Sequence, residues 1–168
     1  MLNKKMLSGL GILGTVILAI TVFSAHAATT NISLPDLSGS CTNAGAQFST
    51  TFVADSMTNV FAWQVNITFT ASQVTPMSYS MGSSFTNGFF SSKANVTGQY
   101  LIGFVMSTGT AFTGTSVTLA TIVWKTKVYH ANTLFHFVSG TVLLDGNLVK
   151  QSVTTTDGVY TCNLAPRK

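Results

Sequence analysis

Glutamate is absent from this 168-residue chain, and its only acidic side chains are four aspartates. Charged residues make up 7% of the sequence, where a soluble domain usually has about a quarter. The eight Lys and Arg residues form no clustered stripe of the kind that nucleic-acid binding needs. The composition therefore excludes nucleic acid as a partner. It leaves two explanations of the charge-poor surface: hydroxyls and glycans that keep an exported protein in solution, or a surface that packs against its own copies or a cell envelope.

Catalytic and metal-binding residues are also scarce. Glycan hydrolysis needs two carboxylates across the scissile bond, but the aspartates are far apart in the sequence, and Asp145 and Asp157 precede glycines as turn residues do. No Gly-x-Ser-x-Gly motif is present. His130 and His136 lack the spacing of metal ligands, which predicts surface or interface side chains. We expect no enzyme, no cofactor and no metal site.

Cysteine occurs twice, at Cys41 and Cys162. An even number of cysteines in an exported chain predicts a disulfide. The pair would bring the two ends of the exported domain together and would stabilise it by up to about 4–5 kcal/mol in the chain-entropy model.

The N-terminus predicts export. Lys4 and Lys5 precede an apolar run over 6–23, and Ala25-His26-Ala27 then provides a small-residue cleavage site. The alternative is an uncleaved membrane anchor, since the run is nearly long enough to span a bilayer. We expect a secretory signal peptide at 1–27, a single domain at 28–162 and a flexible tail at 163–168. The mature protein would be extracellular or at the cell surface, with no membrane span after cleavage.

Hydrophobic periodicity predicts an all-β domain. In Val60–Phe69 the odd positions are large and apolar and the even positions mostly small or polar, as in a strand with one buried face. That parity predicts that Trp63 packs in the core, and core packing is also favoured for Trp124. The other predicted strands are Thr29–Leu34, Ala46–Asp55, Val74–Met81, Gln99–Met106, Ser116–Lys127, Thr133–Phe137, Thr141–Asp145, Leu148–Val153 and Val159–Cys162. Asp36–Gly45 and Gly82–Gly98 are predicted loops. About nine short strands in one exported domain indicate a β-sandwich.

Three blocks of the sequence together resemble cohesin-like modules, the β-sandwich superfamily that also includes carbohydrate-binding modules. They are the aromatic strand Val60–Phe69, the glycine-containing turn and strand Phe112–Lys125, and the hairpin Leu143–Asn147 running on to Asp157-Gly158. The resemblance covers about residues 45 to 162. It implies a jelly-roll-like sandwich of about nine strands that binds a ligand without catalysis.

Candidate contact residues follow from the predicted loop and its surroundings. Tyr79, Phe85, Phe89 and Phe90 flank or occupy a Gly/Ser/Asn-rich stretch and could stack against a sugar, although a loop folded over the end of the sandwich is an equal alternative. Three Asn-x-Ser/Thr patterns offer glycosylation sites, at Asn31, Asn66 and Asn95. Strand parity and loop context predict that Asn66 and Asn95 are exposed.

Two functions remain open at this point. The first is a secreted adhesion or scaffolding module that binds a polysaccharide or a surface protein. The second is a structural subunit of a filament or surface layer, which would self-associate by donating the short N-terminal strand to the sheet edge of a neighbour.

Overall fold

The structure, a computed structural model, describes residues 29–40, 44–107 and 111–163. The predicted signal peptide, Cys41 and residues 164–168 lie outside the described residues. The described part of the chain forms strands, turns and loops, and it contains no helix that is long and apolar enough to cross a membrane. Its strands are β1 (Thr30–Ser33), β2 (Leu37–Ser40), β3 (Gln47–Thr68), β4 (Val74–Met81), β5 (Gly88–Ala94), β6 (Gln99–Met106), β7 (Phe112–Thr126), β8 (Asn132–Phe137), β9 (Val142–Asp145), β10 (Val153–Thr156) and β11 (Gly158–Asn163).

The strands form two layers that share the long strand β3. The N-terminal half of β3 pairs with β1 and β7, which places the first layer in the order β10-β1-β3-β7-β4. The C-terminal half pairs with β6 on one side and with β9 and β8 on the other. The second layer therefore runs β5-β6-β3, continues to β9 and β8, and extends through β11 to β2. This arrangement confirms the predicted β-sandwich.

Strand β3 changes layers near Asn59. Its register against β7 shifts between Met57 and Val60, and Asn59 has a φ of 54°, a left-handed conformation that asparagine tolerates better than most residues. The buried face changes parity across this region, where Met57 and Val60, on either side of the shift, are both buried. Before the shift, Phe52 and Ala54 are buried; after it, the predicted odd face from Trp63 to Phe69 is buried.

Aromatic side chains join the two layers in the core. The Trp124 ring of β7 lies 4.8 Å from Phe135 of β8 and 5.9 Å from Tyr100 of β6, measured between centroids. Its indole Nε1 donates a 2.7 Å hydrogen bond to Thr50 Oγ1. Trp63 packs with its ring centroid 5.7 Å from that of Phe85. Both tryptophans are buried, as the sequence predicts.

The two predicted strands Ala46–Asp55 and Val60–Phe69 form one continuous strand, β3. Three further segments differ from the prediction. Strand β5 lies inside the predicted loop Gly82–Gly98, and β2 lies inside the predicted loop Asp36–Gly45. The predicted strand Leu148–Val153 is mostly irregular, with an isolated bridge between Lys150 and Leu144. The strand β10 begins only at its last residue and runs over Val153–Thr156. All three strands are short or poor in apolar residues, and backbone pairing with a neighbour holds each of them.

Candidate functional site

The outer face of the second layer carries a continuous row of side chains over β5, β6, β3 and β9. Val105 of β6 lies opposite both Phe89 and Ala62 in the strand registers, and Ala62 lies opposite Leu144. A parallel row contains Ser91, Gly103, Gln64 and Val142. Directly opposite residues share one face of a sheet. The alternate residues Trp63, Phe104 and Leu143 are buried in the core, so both rows point away from it.

These rows enclose a shallow groove of about 380 Å3. We define the outer-face groove by its outward-facing lining residues: Ala62, Gln64, Phe89, Ser91, Lys93, Leu101, Gly103, Val105, Val142 and Leu144. Phe89 stands at its rim with 71% of its surface exposed. Gly103 lies at the bottom of the groove, where no side chain fills the space. A β-carbon at this position would lie 3.0 Å from the carbonyl oxygen of Trp63.

A polar end adjoins the groove. The Gln99 amide donates a 3.0 Å hydrogen bond to Asn66 Oδ1, and the Asn95 amide donates a 3.1 Å bond to Gln99 Oε1. Gln64 Nε2 donates to the carbonyl of Gly140 at 2.8 Å. Lys93 is the one charged side chain among the groove residues. The surface thus combines an apolar centre with neutral hydrogen-bonding groups at one end.

The four predicted contact aromatics do not form one platform. Phe85 is buried against Trp63 and Phe104 and faces the core, so its predicted role as a contact residue is wrong. Phe90 is half-buried, with its ring centroid 5.2 Å from that of Tyr79. Phe89 and Phe90 are adjacent strand residues and therefore point to opposite faces. Of the four, only Phe89 lies in the outer-face groove.

The three predicted glycosylation sites have different surroundings. Asn66 has the outward parity that the sequence predicts, but its predicted exposure is wrong: the segment that joins β8 to β9 covers it and leaves 8% exposed. Its Nδ2, the atom that would carry a glycan, donates a 2.7 Å bond to the Ser139 carbonyl. Asn31 is half-buried in β1, whereas Asn95 is exposed after β5. Glycosylation remains a prediction, and Asn95 has the most suitable surroundings.

His136 and Asp157 form a pair on the outer surface of β8. Nδ1 of His136 lies 2.5 Å from Asp157 Oδ2, and Oδ1 accepts a 2.8 Å hydrogen bond from the Phe137 N–H. Desolvation alone would raise the pKa of Asp157. The hydrogen bonds from His136 and Phe137, with the charge of His136, outweigh this desolvation effect and lower the pKa of Asp157.

The described residues contain no group of three or more acidic, histidine or cysteine side chains that could hold a metal ion.

The sequence-based prediction missed most groove residues, although the sequence of β6 contains a pattern that could have indicated them. Strand β6 is apolar on both parities, with Tyr100, Ile102 and Phe104 buried while Leu101 and Val105 face outward. A strand with one wet face should alternate apolar and polar residues. Apolar residues on the outward parity therefore mark a surface that a partner could cover.

Comparisons with known proteins identify the fold. No protein-family model and no curated protein sequence matches the chain. Solved cohesin structures do match. A non-cellulosomal cohesin from the archaeon Archaeoglobus fulgidus has a TM-score of 0.66 and 14% identity, over 81% of this chain and 92% of that one.

Two further matches were solved as complexes. The sixth cohesin of scaffoldin B from Acetivibrio cellulolyticus, in complex with a Cel5 dockerin, has a TM-score of 0.66 and 18% identity, over 80% of this chain and 99% of that one. A type I cohesin–dockerin complex from Clostridium thermocellum, Coh-OlpA-Doc918, has a TM-score of 0.68 and 12% identity, over 80% and 99%. The chain therefore has the cohesin-like fold that its three sequence blocks predict.

Proposed function

We propose that this chain is a non-catalytic module that binds a protein partner through the outer-face groove. The observation that carries the proposal is the contiguous apolar surface of Phe89, Val105, Leu101, Val142 and Leu144 on the outward parity of four strands. Apolar side chains on that parity add nothing to the core of the sandwich. A rimmed apolar patch of this kind is typical of an interaction site.

The chemistry of the groove suits a protein better than a small polar ligand. Its centre is apolar and polar groups border it at one end, and protein–protein interfaces likewise combine an apolar core with polar groups at the rim. The amides of Gln64 and Gln99 are already held by hydrogen bonds within the chain. They are therefore positioned at the rim without a large loss of side-chain entropy on binding.

The structural neighbours support a protein partner. Cohesins from Acetivibrio cellulolyticus and Clostridium thermocellum have this fold and were solved in complex with dockerins. By analogy, we propose a scaffolding or adhesion role for this chain at the cell surface or outside the cell. The predicted signal peptide supports that location.

Polysaccharide binding is the second candidate, and the exposed ring of Phe89 favours it. A sugar-binding surface generally needs several exposed aromatic rings, however, and Phe89 is the only aromatic side chain of the described residues that faces outward into the groove. Assembly by donation of β1 has less support. Strand β1 already pairs with both β10 and β3 in its own domain, and Ile32 is fully buried.

A matched pair of variants tests the proposed function. Val105 lies in the groove and Val128 lies outside it, and 37% of each residue is exposed. Val105→Lys and Val128→Lys therefore add the same charge at equal exposure. Wild-type protein is immobilised and presented with exported proteins from its source, and the retained protein is purified and titrated against both variants.

We expect Val105→Lys to weaken binding about tenfold or more, because it places a charge at the centre of an apolar interface, and Val128→Lys to bind like the wild type. Equal binding by the two variants, or retention of a polysaccharide instead of a protein, would contradict the proposed function.

A further inference from the structure

Strand β5 is an edge strand of the second layer, and half of its backbone groups point away from the sheet. It pairs with β6 from Gly88 to Ala94, and within the described residues it has no neighbour on its other side. At the two ends of the ladder, the Ser107 N–H donates to the Asn87 carbonyl and the Asn95 N–H donates to the Gln99 carbonyl. Odd-numbered residues of β5 therefore exchange hydrogen bonds with β6. The N–H and C=O groups of Gly88, Phe90, Ser92 and Ala94 face the open edge.

This edge lacks the usual features that prevent pairing. The other long edge strand, β4, contains Pro76 and a register shift next to it. Strand β5 contains neither proline nor a register shift along its seven residues. Its one charge is Lys93, close to its end. An unprotected edge of this length is a template for another strand.

Apolar side chains lie beside the open edge, on the adjoining strand of the other layer. Met77 and Tyr79 of β4 are 52% and 47% exposed. Together with Ser92, Ala94 and Tyr100, they line a cleft of about 220 Å3 between the edges of the two layers. A strand added to β5 would place its inward-facing side chains over this cleft.

We propose that β5 pairs in antiparallel fashion with β5 of a second copy of this chain, around a two-fold axis at Ser91. This register pairs all seven residues, Gly88 with Ala94 and Phe90 with Ser92. It satisfies the open N–H and C=O groups of both chains. The interface is isologous and closes on itself, so the product is a dimer.

The side chains of β5 are self-complementary in this register. Phe90 of each copy lies opposite the small Ser92 of the other, above the cleft lined by Met77 and Tyr79. On the outer face, Phe89 lies opposite Lys93 of the other copy, which suits a cation over an aromatic ring and keeps the two lysines apart. The two Ser91 residues face each other. The occupant that fits best is therefore a second copy of the chain, not an unrelated peptide.

A cysteine at the two-fold axis tests the register. Ser91 would face its own copy as a non-hydrogen-bonded pair with α-carbons about 4.5 Å apart, which is within the range of a disulfide. We expect mildly oxidised Ser91→Cys protein to run as a covalent dimer on a non-reducing gel.

Ser80→Cys is the matched control. Ser80 is an exposed serine of the other edge strand, β4, and its side chain points away from Tyr79 and so from the proposed interface. It should cross-link at least about tenfold more slowly, since no pairing raises its effective concentration. Equal cross-linking rates for Ser91→Cys and Ser80→Cys would overturn the register.

The backbone of the open edge provides the second test. Ala94 is exposed, and its N–H points away from β6. Ala94→Pro therefore removes an edge donor without removing a bond to β6, and proline is tolerated at such positions. Ala94→Val keeps the donor. By symmetry, each dimer loses two hydrogen bonds.

We expect Ala94→Pro to raise the dimer dissociation constant about tenfold or more in light scattering, while Ala94→Val dimerises like the wild type. A wild-type protein that stays monomeric at the highest soluble concentration would overturn the proposal. So would an Ala94→Pro variant that dimerises as tightly as the wild type.

Discussion

The two tryptophans show how a single hydrogen bond distinguishes similar core positions. Trp124 Nε1 donates to Thr50 Oγ1, whereas Trp63 Nε1 is buried with no partner among the described residues. The parity of the strand predicts that Trp63 is buried. It cannot predict whether the indole N–H finds an acceptor, because the acceptor comes from a strand about 74 residues away in the case of Trp124.

Replacing each tryptophan by phenylalanine isolates that bond. Both changes remove similar ring volume, but Trp124→Phe also leaves the Thr50 hydroxyl without its donor. We expect Trp124→Phe to destabilise the domain by about 1 kcal/mol more than Trp63→Phe, as measured by denaturant unfolding. An equal loss of stability would show that the Thr50 bond contributes nothing net.

Asp157 should dominate the acid dependence of stability. Its pKa in the folded chain lies below the ordinary value of 3.8. Its stabilising contribution is therefore complete above the pKa of the unfolded chain and is lost as the pH falls through the folded pKa. The thermal midpoint should change little from pH 7 to about 5 and fall below about pH 4.

Variants of Asp157 and His136 test whether this pair causes the fall in the thermal midpoint at low pH. Asp157→Asn should remove most of the fall, and His136→Gln should remove part of it, because the hydrogen bond from the Phe137 N–H remains. A steep fall that is unchanged in Asp157→Asn would assign the dependence to other carboxylates.

At the level of strands, the sequence predicted the strands in which apolar residues occupy alternate positions. It missed strands that lack this alternation and that form because their backbone pairs with a neighbouring strand. Val60–Phe69 alternates strongly, and its second half was placed correctly, including which face is buried. Strand β5 has two phenylalanines followed by Ser91, Ser92 and Lys93, a composition that also suits a loop. Its partner β6 comes only a few residues later, yet nothing in the local pattern of β5 signals that pairing. Tertiary context decides such strands.

The pairing of β2 with β11 bears on the predicted disulfide. Cys162 lies in β11 opposite Gly39 of β2, and Cys41 follows Gly39 by two residues in the sequence. Strand β2 ends one residue before Cys41, so the pairing places Cys162 beside the segment that leads to Cys41, and the disulfide stays a prediction. Intact mass with and without reduction should show a difference of two hydrogens, and Cys162→Ser should destabilise the domain by about 2–5 kcal/mol. Two free thiols in the native protein before any reduction would contradict the disulfide.

At the scale of the whole molecule, the two candidate surfaces, the outer-face groove and the open edge of β5, lie next to each other. The outer-face groove and the open edge of β5 adjoin through Phe89, Ser91 and Lys93. A dimer through β5 would therefore place two grooves on one continuous sheet, so that two partner molecules could be held side by side. The sequence predicted a charge-poor binding module with this fold. It could not locate the surface, because the groove residues come from four strands that only the fold brings together.

The most direct test of the central claim, that a protein partner occupies the outer-face groove, is site-specific photocross-linking. A photoreactive amino acid replaces Val105 in one sample and Val128 in another, positions of equal exposure inside and outside the groove. Each sample is irradiated with the exported proteins of its source. We predict a covalent adduct with a single protein from position 105 and none from position 128. An adduct from position 128 alone, or the same products from both positions, would contradict the claim.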